Sequence, residues 1–536
     1  MSPTTLIKCT INGVQVEVVQ GKTIIEAMTE NAQRIAHYCW HPGLSIAGVC
    51  RLYMVEIEGN PRVQIACNTV VTDGMKINNT SDKVKDAVKW GLDFHLINHP
   101  LDCPVCDQAG ECGLQDQYME YGKYNPEMAE PKQKKHKVVD LGPTVVLDSE
   151  RCILCSRCTR FTSEVTKTYE LGIFNRGDFS EIGTHDGRPL DNKYSLNTVD
   201  ICPVGALTSK DFRFKQRVWY LKDADTICNG CSTGCNVKVY FNKEGVFRVK
   251  PRFNEEVNGY WMCDEGRDTY KVVNKEVRLL KGQKFADGQW QPEVHAGVAV
   301  KDAYQSLMKA GASEIAVVLT GQNTVEEYEA IVAHFQTAFK TKNIFHWINN
   351  PETFETFDGL LLRGDKNPNT NGLLQVLEKN GIKNSWKNLE EGLKSGKLTH
   401  LVVFGPENIP VFPELNKMVQ LFTTAKNLIY FTAVNIASLR EYSGSNSVIK
   451  IPMKTYVEKD GTFINFKGLA QKFKRATTIV SEALTGVEAA QLITGSEIKI
   501  AINNEPSAFT PASTRKDQVT IEHRKKNEFV FTRGRL

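Results

Sequence analysis

All 15 cysteines of this chain of 536 residues lie in residues 1–263, and residues 264–536 contain none. That asymmetry divides the chain into a thiol-rich half and a thiol-free half. The sequence opens on a strand-like segment, Leu6–Val19, with no signal or transit sequence ahead of it, so a secreted or imported precursor is not expected. Thiols this dense in such a chain argue for metal ligation rather than a disulfide framework. At about 150 residues per domain the length predicts three or four domains. The formal charge of +4, from 66 basic and 62 acidic side chains, gives no reason to expect nucleic acid. No uncharged apolar run approaches the roughly 18 residues of a membrane helix, so none is expected.

The modules read in order. Residues 1–80 form a small mixed module: Leu6–Val19 alternates around Asn12-Gly13, a hairpin signal, and Thr23-Ile24-Ile25-Glu26 has the capping-box pattern of a helix start. Gly21-Lys22-Thr23 resembles the end of a phosphate-binding loop, but Val16 stands where that motif needs glycine, so it reads as a strand-to-helix turn. Residues 81–140 begin with a helical stretch, Ser81 to Asn98, and end near a basic run, residues 131–137, read as a solvated linker. Residues 141–220 and 221–275 hold the remaining cysteines. From 276 to 536 short apolar runs (Glu314–Leu319, Ile344–Ile348, Leu401–Phe404, Leu428–Thr432) alternate with helical patterns, one opened by Thr324-x-x-Glu327. This is a doubly wound α/β pattern ending in a basic tail, with no glycine-rich nucleotide fingerprint. The fold class is therefore multidomain, α+β followed by α/β.

Fourteen cysteines fall into four groups. The first is Cys39, Cys50 and Cys67, spaced like a plant-type [2Fe–2S] loop except that the close partner expected two residues beyond Cys50 is Tyr53. The second is His99, Cys103, Cys106 and Cys112, three thiolates closed by an imidazole, which suits a [4Fe–4S] cluster or a structural zinc. The third is Cys152, Cys155 and Cys158 with Cys202-Pro203. In two-cluster bacterial ferredoxins the run C-x2-C-x2-C-x3-C-P occurs twice, and each fourth cysteine serves the other cluster. Here position 162 is Thr, and counting back from Cys202 the second run would stand at Asn192, Ser195 and Thr198. All ligands of one cluster are gone and all four of the other remain, a crossed pattern that zinc does not explain. The fourth group is Cys228, Cys231, Cys235 and Cys263, suited to a cubane or an all-thiolate zinc site.

The four groups in this order, with Tyr38–Cys50, Asn98–Cys112 and Ile201–Leu207 around the ligands, resemble the large iron–sulfur subunit of bacterial NADH:quinone oxidoreductase, respiratory complex I. The resemblance covers residues 1–275. Beyond it, Glu458–Asn465 resembles a segment of molybdopterin oxidoreductases. The resemblance implies a plant-type ferredoxin-like domain, a His/Cys cluster domain, a bacterial-ferredoxin-like domain, and a molybdopterin-oxidoreductase-type cluster domain. A degenerate molybdopterin-oxidoreductase-like α/β domain lacking its cofactor would follow. It implies three [4Fe–4S] clusters and one [2Fe–2S] cluster, the last put in question by Tyr53. Electrons would pass from a flavin/NADH-binding partner subunit to the [2Fe–2S] site. They would go on through the Cys152 and His99 cubanes towards quinone, with the Cys228 cluster off the path. Other peripheral-arm subunits would be partners, and the chain would sit peripherally on the cytoplasmic face of the inner membrane, reaching the membrane only through them. No NADH or quinone site is expected in the chain itself.

Two alternatives remain on the residues alone. A formate dehydrogenase or hydrogenase large subunit would need further cysteines after residue 263 in its usual form. A zinc-stabilised scaffold would carry no redox chemistry.

Overall fold

A computed structural model describes residues 5–495, apart from 124, 126, 129, 186 and 442–446. The basic tail lies outside the described residues. They divide into two compact units that part between Trp219 and Tyr220.

The first unit opens on the expected hairpin. Strands Leu6–Ile11 and Val14–Val19 pair antiparallel, and the turn between them puts both Asn12 and Gly13 at positive φ, as a twist-matched two-residue turn requires. A five-stranded sheet grows from the hairpin, in the order Val14–Val19, Leu6–Ile11, Lys76–Asn78, Met54–Ile57, Gln64–Ile65. Helix Ile24–Glu30 is held by its capping box, Glu26 accepting from the Thr23 N–H at 2.8 Å, and buries Ile24, Ile25, Ala27 and Met28 against the sheet. Helix Asp82–Leu96, capped by Ser81, buries Val84, Val88 and Leu92 on one face. Short helices Gly113–Tyr121, Arg157–Arg160 and Asn197–Asp200, a three-stranded sheet and a two-stranded ribbon complete the unit.

The basic run is exposed, but it is tied down rather than free. Lys132 donates to the Leu96 carbonyl at 2.7 Å, and Lys137 pairs with Glu150 at 2.7 Å and Asp102 at 3.2 Å.

The second unit begins with a three-stranded antiparallel meander, Lys222–Ile227, Asn236–Asn242 and Gly245–Pro251. Its centre is a seven-stranded sheet. Five strands, in the order Ser447–Pro452, Asn427–Thr432, His400–Phe404, Ile315–Thr320, Ile344–Trp347, are parallel. Ile315–Thr320 and His400–Phe404 are buried along their whole length, because apolar layers cover both faces of the sheet. An antiparallel hairpin, Gln283–Ala286 with Gln289–Trp290, closes one edge. Helix Val325–Ala338 starts at the Thr324/Glu327 capping box.

Candidate metal centres

The third cysteine group is the most completely formed. Cys152, Cys155, Cys158 and Cys202 line one cavity of about 350 Å³ whose other walls include Leu147, Ile182, Val204 and Leu207. Leu154 and Ser156 adopt left-handed backbone conformations, φ 54° and 60°, and curl the loop round the space. The Leu154 N–H points at Cys152 Sγ from 3.4 Å. Burial, with repulsion among the thiols, pushes Cys152 up to about 12 and Cys155 up to about 11, and raises Cys158 and Cys202 as well. Four thiols that resist ionising together suit a multiply charged iron group that neutralises them. The abandoned companion positions are closed by local hydrogen bonds: Thr162 to the Thr159 carbonyl at 3.0 Å, Ser195 to Asn192 at 2.6 Å, Thr198 to Ser195 at 2.7 Å.

The second group is built against the third. Cys112 caps helix Gly113–Tyr121, Cys103 starts a single helical turn, and Cys106 and Cys112 are buried. Burial pushes Cys112 up to about 12. His99 is held down to about 4, first by burial, so its imidazole is neutral at physiological pH, the ligating form. Its Nδ1 is buried and without a hydrogen-bond partner, as a nitrogen reserved for a metal would be. The loop after Cys202 supplies part of this site's wall. A Cβ on Gly205 would collide with Cys106 Sγ, and the Gly113 N–H donates to the Pro203 carbonyl at 2.9 Å. Arg151 reaches Asp102 at 2.7 Å, fastening the same two segments.

The fourth group lies in the second unit. Cys228, Cys231, Cys235 and Cys263 are all buried. The Gly230 N–H faces Cys228 Sγ at 3.4 Å and the Gly266 N–H faces Cys263 Sγ at 3.3 Å. A Cβ on Gly266 would stand 3.1 Å from Cys228 Sγ, so only glycine lets that backbone approach both sulfurs. Burial pushes Cys228 up to about 12 and lifts Cys235 and Cys263 further.

Among the described residues no three His, Cys, Asp or Glu side chains crowd at the spacing of one metal ion. The ligands of a multi-iron cluster bind different atoms, so wider spacing suits them.

The first group differs from these three. Cys39, Cys50, Cys67 and Tyr53 are buried within 4% exposure. Tyr53 Oη lies 3.3 Å from Cys39 Sγ and accepts the Trp40 N–H. Its ring stacks on His37 at 5.6 Å. Burial, with the neighbouring Cys50 and Cys39, raises the phenol far above its ordinary range and keeps it protonated. Cys39 is held down to about 5, first by its contact with the Cys50 thiol and also by Tyr53. Three thiols and a neutral phenol already bonded to one another do not fit a four-ligand [2Fe–2S] cluster as the other groups fit theirs.

Residues that motif spacing does not reveal complete the sites. Arg157, between two cysteines of the third group, donates to the Trp40 and Ile201 carbonyls, and Gly205 and Gly266 make room for sulfur. In the second unit the Glu458–Asn465 segment anchors buried ion pairs: Arg278 with Glu458 at 2.7 Å, and Lys459 with Glu327 at 2.9 Å and with Glu407.

Four family models match the chain: a 2Fe-2S iron-sulfur cluster binding domain over residues 4–82, and the NADH-ubiquinone oxidoreductase-G iron-sulfur binding region over 91–126. The NADH-quinone oxidoreductase subunit 3 ferredoxin-like domain matches 142–208, and the molybdopterin oxidoreductase Fe4S4 domain matches 221–275. With the thiol groups above, these domains define an iron–sulfur protein.

Its thiol-rich half is similar to an iron–sulfur subunit of NADH-quinone oxidoreductase. The chain is 41% identical over 290 residues to that subunit of Rickettsia conorii, covering 53% of this chain and 43% of the relative. It is 36% identical over 345 residues to the corresponding protein of Streptomyces coelicolor, covering 64% of this chain and 41% of the relative. To the mitochondrial NADH dehydrogenase [ubiquinone] iron-sulfur protein 1 of Solanum tuberosum it is 40% identical over 292 residues, covering 54% and 39%. Each match spans less than half of the relative's own length. One solved structure, an NAD+-reducing [NiFe]-hydrogenase in the H2-reduced state, matches 40% of this chain and 91% of that chain at 28% identity and a TM-score of 0.36.

Proposed function

We propose that the chain relays single electrons as the large iron–sulfur subunit of an NADH:quinone oxidoreductase. It would accept them from a flavin-bearing subunit and deliver them towards quinone through other subunits of the peripheral arm. Cys152, Cys155, Cys158 and Cys202 would hold one [4Fe–4S] cluster. His99, Cys103, Cys106 and Cys112 would hold a second, and Cys228, Cys231, Cys235 and Cys263 a third. Cys39, Cys50 and Cys67 line the first domain, which by its type would receive electrons from the flavin subunit.

The observation that carries this reading is that one loop, residues 202–206, serves two of the groups: Cys202 lines one site while Gly205 backs Cys106 of the other. Neighbouring redox centres with a common wall are what a relay needs. Iron–sulfur clusters, when bound, exchange single electrons without acid, base or nucleophile. The chain's own residues hold them, exclude water, and aim N–H groups at the ligand sulfurs. Among the described residues no helix is long and apolar enough to cross a membrane. The place that goes with this function is peripheral, on the cytoplasmic face of the inner membrane, with partner subunits making the contact to the bilayer.

The test is iron, zinc and sulfide analysis with low-temperature EPR on the anaerobically purified, dithionite-reduced chain. About four irons for each of the three cubane sites is expected. Colourless protein with zinc in their place would refute the relay.

A further inference from the structure

Within the first domain, Tyr53 stands two residues beyond Cys50, where a plant-type cluster loop has its close thiolate partner. A phenol is longer than a thiol by an aromatic ring. A tyrosine entering from the same backbone position therefore carries its oxygen across the space that a cluster would fill. The contacts show that it does so. Tyr53 is fully buried, and its oxygen ends beside Cys39 and the Trp40 backbone, on the opposite loop. Both hydrogen-bonding roles of the phenol are met there: the O–H faces Cys39 Sγ at 3.3 Å, and the oxygen accepts from the Trp40 N–H. That backbone donor is thereby withdrawn from any cluster sulfur. The ring is clamped by His37, whose backbone N–H donates to Gln117 Oε1 at 2.9 Å while the Gln117 amide donates back to the His37 carbonyl at 2.5 Å. Swinging the phenol out would require breaking this clamp and opening a buried core.

We propose that the Tyr53 side chain occupies the first metal site, so that residues 5–80 are a ferredoxin-like domain kept for its shape. The first redox centre of the chain is then the Cys152, Cys155, Cys158 and Cys202 site. This rests on the reading of the chain as an electron relay, and it moves the point at which electrons enter. The donor must reach the third group directly. The surface around Arg157 and Arg160, whose guanidinium groups hold the Trp40 and Ser45 carbonyls, is where the emptied domain abuts that group.

The experiment compares the native full-length chain with Tyr53→Cys and Tyr53→Phe, each purified anaerobically, by iron analysis and by EPR after dithionite reduction. The expected result is about twelve irons and no [2Fe–2S] signal in the native chain and in Tyr53→Phe. Tyr53→Cys should gain about two irons and a new signal that persists at temperatures where cubane signals broaden away. A [2Fe–2S] signal in the native chain would overturn the proposal. So would a Tyr53→Cys protein that keeps its cubane signals and gains nothing, since Tyr53 would then not be what closes the site. Loss of the cubane signals in the native chain would instead sink the relay reading and is distinguishable on the same spectra.

Discussion

Arg157 donates to the Trp40 carbonyl at 2.6 Å across 117 residues of sequence, and its second terminal nitrogen donates to the Ile201 carbonyl at 3.0 Å. One buried guanidinium thus fastens the loop of the first cysteine group to the segment that presents Cys202. Charge-assisted bonds of this kind contribute about 1.5–3 kcal/mol each. Arg157→Met is expected to lower the stability of the first unit by about 3 kcal/mol. Denaturant unfolding with a fluorescence readout checks it, and EPR should show the Cys152 signal broadened or lost before the Cys228 signal changes.

Gly205 tests the common wall more sharply. A methyl group there has nowhere to go except into Cys106 Sγ, with Gln108 Cβ only 3.1 Å away on another side. Gly205→Ala is expected to lose about four irons, those of the His99 group, while the Cys228 group keeps its own. Iron analysis paired with EPR separates the two. Full iron content in the variant would show that the loop yields.

The free Nδ1 of His99 gives a prediction about potential rather than occupancy. Imidazole in place of thiolate raises the potential of an iron–sulfur centre, because it removes negative charge. His99→Cys should therefore retain the cluster and lower its midpoint, whereas His99→Ala should lose it. An EPR-monitored redox titration reads both.

Stability should respond to pH through Lys450. This lysine is fully buried, donates to Asn435 Oδ1 at 3.1 Å and sits 4.6 Å from the Trp290 ring. Burial, with Arg440 nearby, holds it down to about 8. The unfolded chain keeps that proton up to about pH 10.4, so between about pH 8 and 10.4 it binds more protons than the folded chain, and stability rises with pH across that window. Below about pH 8 the folded protein carries a buried charge at a cost. Lys450→Met should raise stability at pH 7 by about 1–3 kcal/mol and flatten the alkaline rise. Thermal melts of both proteins from about pH 7 to about pH 10 provide the comparison.

Lys459 should behave in the opposite way. It neutralises Glu327 and Glu407 inside the second unit, all three within 2% side-chain exposure. Lys459→Met leaves two buried carboxylates without a cation and should cost about 3–5 kcal/mol. A melting temperature unchanged within error would mean that the carboxylates take up protons at no cost.

Much of the architecture could be read from residue patterns because the signals were local. The Asn12-Gly13 hairpin, the Thr23 and Thr324 capping boxes and four of the parallel strands each depend on a few neighbouring side chains. The crossed ferredoxin spacing was legible for the same reason, as a ligand run has a fixed count. The antiparallel hairpin 283–290 was not, since its strands are short and its partner, Ser447–Pro452, lies far along the chain. Nor were Arg157, Gly205 and Gly266. Each acts on a backbone or sulfur brought close only by folding, and a lone Arg or Gly carries no spacing signal. The lysines of residues 131–137 read as solvent-facing because their acceptors, Leu96, Asp102 and Glu150, are not in the run itself.

The loop from Cys202 to Ala206 has a consequence for how the protein matures. Because it belongs to two sites at once, filling one site fixes half the wall of the other. Iron insertion should therefore be cooperative across the pair. Chains with both cubanes or neither would predominate over chains with one, and a cell short of iron would accumulate wholly empty subunits alongside complete ones.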